Sequence, residues 1–77
     1  MATYDKLIRK LFQGTRLRYQ EVKKILKHLG YRLARQKGSH EQWVKEGRTF
    51  TLVSSSKESP FYILDALKKV IENEKKK

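Results

Sequence analysis

At Gly30 the spacing of apolar residues changes, and few folds accommodate what lies on either side of that change. Before it, Tyr4, Leu7, Ile8, Leu11 and Phe12 recur at i, i+3, i+4, i+7 and i+8, one stripe along a short helix that Gly14 ends. Val22, Ile25, Leu26 and Leu29 form a second helical stripe, and Gly30 offers the left-handed residue that closes it. From Tyr31 the period is two. Tyr31 and Leu33 alternate with Arg32 and Ala34, on which count Arg35 shares the face of Tyr31 and Leu33. Lys37-Gly38-Ser39 is a tight turn. His40 to Lys45 is a second strand, with His40, Gln42 and Val44 on one face and Glu41, Trp43 and Lys45 on the other. Glu46-Gly47 reads as a two-residue hairpin turn into a third strand, Arg48 to Val53. There Phe50 and Leu52 point one way and Thr49, Thr51 and Val53 the other. After a polar loop, Ser59 as cap and Pro60 as first residue start a last helix, whose stripe is Ile63, Leu64, Leu67, Val70 and Ile71.

Helix, helix, three-stranded meander, helix predicts an α+β domain of two layers, an antiparallel sheet with helices on one face. The second and last helices are the natural cover. The first is an N-terminal addition whose stripe is either core or interface. The expected organisation is therefore an N-terminal helical extension over 1–16, one domain over 17–74 and a solvated basic tail over 75–77. At 77 residues the domain buries only about 60–65% of what its unfolded chain exposes, so its core is thin.

Charge points to the partner. Nineteen Lys and Arg against eight Asp and Glu leave a net +11, with a pI near 10.1. Between Arg16 and Lys37 stand eight basic residues and one acid, Glu21. Such a field concentrates polyanions and binds them through counterion release, which marks nucleic acid as the partner. Lys23, Lys24 and Lys27 on the outer face of the second helix are candidate contacts.

Much other chemistry is excluded. There is no cysteine, no His-x-x-x-His and no acidic cluster, so no metal or other cofactor is expected. Gly38 stands alone rather than in a phosphate-binding loop. Ser39 beside His40 lacks an orienting acid and makes no triad. Met1-Ala2-Thr3-Tyr4-Asp5 has none of the marks of a signal peptide, and no apolar run approaches the roughly 18 residues of a membrane span, so a cytoplasmic location is expected. Of the two histidines, His28 reads as an exposed helix residue. His40 follows a Gly-Ser turn at the head of a strand, with Arg35 and Lys37 before it and Trp43 after it. A lone histidine is usually structural, but this one sits where chemistry is possible.

The run Val22-Lys23-Lys24-Ile25-Leu26-Lys27-His28-Leu29-Gly30-Tyr31, followed by Arg35-Gln36-Lys37-Gly38-Ser39-His40, resembles the HicA family of type II toxin–antitoxin systems, also called YcfA-like mRNA interferases. The likeness covers roughly residues 17 to 72. It implies a double-stranded-RNA-binding-like α-β-β-β-α fold with the first helix as an extra, and metal-independent ribonuclease activity on mRNA centred on His40. It also implies a HicB-type antitoxin as partner, masking that histidine. Three features depart from the family, the extra helix from Tyr4 to Phe12 being one. Val53-Ser54-Ser55-Ser56 stands where members commonly carry Val-Pro-x-His, and Arg18 and Tyr19 stand near the usual Ser or Thr cap of the helix carrying Val22.

On this resemblance His40 acts as general base on a ribose 2′-hydroxyl or as general acid on the departing 5′-oxygen. Lys37 and Arg35 hold the scissile phosphate, unless Arg35 closes the edge of the core, and Ser39 contributes to RNA contact. Trp43, on the face opposite His40, packs in the core or, less favoured, stacks on a base. Two other readings stay open: a non-cleaving RNA binder of the same fold, and a winged-helix DNA binder built from the first two helices and the hairpin.

Overall fold

The computed structural model describes residues 3–54 and 58–75. Its elements are α1 (Tyr4–Phe12), α2 (Tyr19–His28), β1 (Arg32–Lys37), β2 (His40–Lys45), β3 (Arg48–Val53) and α3 (Phe61–Lys75). The strands form one antiparallel sheet in the order β1-β2-β3. This is the expected α+β architecture. Ser55, Ser56 and Lys57, and with them the family's second-histidine position, lie outside the described residues, as do Lys76 and Lys77 of the expected basic tail.

Each helix begins where a backbone donor finds a partner. The Thr3 hydroxyl accepts from the Lys6 N–H at 3.4 Å to start α1. For α2, Arg18 occupies the cap position and Glu21 reaches back to accept the Arg18 N–H at 3.0 Å. That is the returning half of a capping box, which does without a Ser or Thr cap. At the other end of α2, the Tyr31 N–H returns to the Leu26 carbonyl at 2.9 Å and closes the helix. Lys45 then bonds the Leu29 carbonyl and pairs with Glu74 at 3.0 Å, joining β2 to the ends of both covering helices.

The start of α3 corrects one expectation. The helix begins at Phe61, with the Pro60 carbonyl accepting from Ile63 and Leu64, and Ser59 does not cap it. Ser59 is buried and its backbone is committed elsewhere. Its N–H donates to the Leu17 carbonyl at 2.8 Å, and its own carbonyl accepts from Arg16 at 3.2 Å. The chain entering α3 is thus strapped to the turn entering α2, which takes the Ser59 hydroxyl away from the helix end.

One core fills the space between sheet and helices. Val22, Ile25 and Leu26 of α2 and Ile63, Leu64, Leu67 and Ile71 of α3 meet Trp43, Phe50 and Leu52 of the sheet, all buried. The fate of α1, open from sequence, is decided here: Leu7 and Leu11 are each 1% exposed within the same cluster. Tyr4 also stacks on His28, ring centroids 3.7 Å apart, so His28 is exposed but not idle. Leu7 and Leu11 thus contribute to folding, while Phe12 at the end of the stripe stays 42% exposed. Leu11→Ala is therefore expected to cost about 2–5 kcal/mol in urea unfolding. A cost under about 0.5 kcal/mol would return α1 to the status of an appendage.

Candidate functional site

The helices cover one face of the sheet and leave the other open. Across the strands, register places Lys37 opposite His40, Arg35 opposite Gln42 opposite Thr51, and Arg32 opposite Val44 opposite Thr49. Directly opposed residues of an antiparallel pair share a face. Arg32, Arg35, Lys37, His40, Gln42, Thr49 and Thr51 therefore share the open side, and all but the half-buried Gln42 are exposed.

The His40 neighbourhood is set by the turn. Gly38 has φ +60° and Ser39 does not share the left-handed conformation, the pattern of a two-residue hairpin with glycine first. This loop holds Lys37 and His40 as its closing pair, with Cβ atoms about 4.5–5.5 Å apart. The Ser39 carbonyl accepts from the Ser54 N–H at 2.7 Å, so the chain leaving β3 braces the turn. Arg35, Lys37, Gly38, His40 and Gln42 line an open depression of about 480 Å³. One imidazole and two cations on a water-accessible concavity can exchange a proton and hold an anion.

Arg35 departs from its sequence reading. It lies on the face of His40, not on that of Leu33, because the pairing shifts between Leu33 and Arg35 with Ala34 as the extra residue. Such a bulge reverses the alternation on either side of it. Leu33 stays on the side of Trp43, and Arg32 joins Arg35 and Lys37 on the open side. The clue was present in the sequence. Counting back from the two-residue turn puts Arg35 with His40, whereas counting forward from Tyr31 and Leu33 puts it against the core. Only an inserted residue satisfies both.

Lys23, Lys24 and Lys27 are not gathered with this group. They belong to α2, in the layer on the far side of the sheet from His40, and Lys23 lies over the Tyr19 ring at 5.7 Å. Trp43 is 2% exposed and takes the core role.

Sequence reading missed what lies beneath the histidine. Glu41, 3% exposed, accepts from the Tyr19 hydroxyl at 2.6 Å and from the Trp43 indole N–H at 3.0 Å. The carboxyl group turned into the core thus has a donor on each oxygen, as a buried polar group requires. Burial first, then the hydrogen bond and charge of Glu41, raise the Tyr19 phenol above its usual value, so it remains a donor into alkaline solution. Strict alternation placed Glu41 inside next to Trp43; a polar residue at an inward position was the available signal.

Among the described residues there is no group of three His, Cys, Asp or Glu that could hold a metal ion, and no helix is long and apolar enough to cross a membrane.

An α1-α2-β1-β2-β3-α3 domain with a histidine and cations on its open sheet face has the double-stranded-RNA-binding-like architecture. Within that class the chain is a member of the HicA toxin family: residues 19–72 match the family described as the HicA toxin of bacterial toxin–antitoxin. No curated protein and no solved structure matches the chain.

Proposed function

We propose that this chain is a cytoplasmic endoribonuclease that cleaves mRNA without a metal ion, with His40 as its acid–base group, and that a HicB-type antitoxin silences it by covering that face. The observation that carries the reading is the gathering of Arg35, Lys37 and His40 around one open depression at the Gly-Ser-His turn. The reaction is a transesterification. The 2′-oxygen attacks phosphorus, the bond to the 5′-oxygen breaks, the 2′-proton leaves and the 5′-oxygen gains one. His40 serves one of these transfers and water the other, which makes the enzyme slower than ribonucleases that pair an acid with a base. Lys37, beside the turn, holds the non-bridging oxygens of the scissile phosphate, where positive charge aimed at the transition state is worth a few kcal/mol, and Arg35 holds the phosphate next to it.

The products test the route. Incubated with a long single-stranded RNA and a chelator, the protein is expected to leave 2′,3′-cyclic phosphate and 5′-hydroxyl ends; 3′-hydroxyl ends would exclude the mechanism. The serines at Ser54 and Ser56, where the family carries proline and histidine, favour a second reading, a non-catalytic RNA-binding module of the same fold. That reading predicts binding with no cut at all.

A further inference from the structure

We propose that β1 is a track for the backbone of single-stranded RNA, with Arg32, Arg35 and Lys37 taking successive phosphates and the scissile one lying at the Lys37–His40 end. The inference rests on RNA as the ligand of the open face. The Ala34 bulge is what makes the row: in a regular strand Arg32 would face away from Arg35 and Lys37, whereas here all three share one side. Their partners Val44, Gln42 and His40 are each two residues apart, so the cations repeat every ~7 Å along the strand. That is the scale of the distance between neighbouring phosphates along one nucleic-acid strand, so three cations in a row can meet three successive phosphates.

These cations are uncommitted. Lys10, Lys45 and Arg48 form ion pairs and Arg16 is bound to Ser59, whereas Arg32, Arg35 and Lys37 form none among the described residues. The residues that register places around them, His40, Gln42, Val44, Thr49 and Thr51, include no acid. Nor, among the described residues, do the strands offer an aromatic platform on this face, since Trp43 and Phe50 are turned into the core. Base stacking therefore contributes little, and the face reads charge and spacing rather than sequence. In-line attack by a 2′-oxygen needs a backbone free to leave A-form geometry, which selects a single strand.

The test uses labelled 2′-O-methyl oligonucleotides of mixed sequence, two to eight nucleotides long, which bind but cannot be cut. Affinity is expected to climb up to about four nucleotides and then level off, because three phosphates are held. Arg32→Gln should leave the dinucleotide unaffected, weaken a hexamer about three- to tenfold and lower its log–log salt slope by about 0.7. Lys69→Gln, an equal charge loss on the exposed surface of α3 in the other layer, should change neither quantity. The track is refuted if Arg32→Gln behaves like Lys69→Gln, if a hairpin duplex outcompetes the hexamer, or if only an acidic protein and no oligonucleotide binds. Since the probes are uncleavable, a wild type that binds them with this length dependence but never cuts ordinary RNA would sink the ribonuclease and spare the track.

Discussion

His40→Ala is expected to lower RNA cleavage by about 10²–10⁴-fold while leaving RNA affinity close to wild type. The range follows from what one positioned proton carrier contributes to such a step. Binding is spared because His40 is one exposed ring among cations, and Arg32, Arg35 and Lys37 remain in place. Stability should also hold, since the side chain lies on the open face and no core contact is lost. Matched time courses on one long RNA, with affinity measured on uncleavable RNA, separate the outcomes. Equal cutting by wild type and mutant would remove His40 from the chemistry. Parallel loss of cutting and binding would make it a contact residue instead. The direction of the pH–rate profile then assigns the role: a rise with pH through the histidine range marks a base, a fall marks an acid.

The largest loss of stability is expected at Trp43. Trp43→Ala removes a side chain 2% exposed at the centre of the sheet's covered face, a change that typically costs about 3–5 kcal/mol. It also deprives the Glu41 carboxylate of its indole donor and leaves the hydrogen bond from Tyr19. An uncompensated buried acceptor adds about 1–3 kcal/mol. Against a total of about 5–15 kcal/mol for a domain, lower in that range for one this small, the variant should be largely unfolded near body temperature. Trp43→Phe separates the two effects, since it keeps most of the packing and loses the donor, at about 1–3 kcal/mol. Urea unfolding of both variants measures this. A Trp43→Ala loss below 1 kcal/mol would mean that the indole is not the keystone its burial indicates.

Much of this was written in local pattern. The change of period at Gly30, the turns at Gly38-Ser39 and Glu46-Gly47, and the stripe from Ile63 to Ile71 define the elements, because each depends on residues a few positions apart. Glu46 at φ +49° and Gly47 at φ +79° even adopt the paired left-handed turn that the dipeptide suggests. His40 was legible for the same reason, sitting in a motif of adjacent residues.

What local pattern left open depended on residues far apart. Whether the stripe of α1 was core or interface turned on whether Leu7 and Leu11 found α2 and α3. Ser59 lost its capping role to a contact with Leu17, distant along the chain. Glu41 became a satisfied buried carboxylate only because Tyr19, on another element, reached it. The face of Arg35 hung on a conflict between two local rules. The turn demanded that Arg35 and Lys37 share the side of His40, and the burial of Tyr31 kept it, with the half-exposed Leu33 opposite Trp43, on the other. Local spacing defined the elements, their order and the motif around His40; long-range packing placed the extra residue. Hydrophobic burial and strand register act across the whole sheet at once, and the bulge at Ala34 is the one place where both are met.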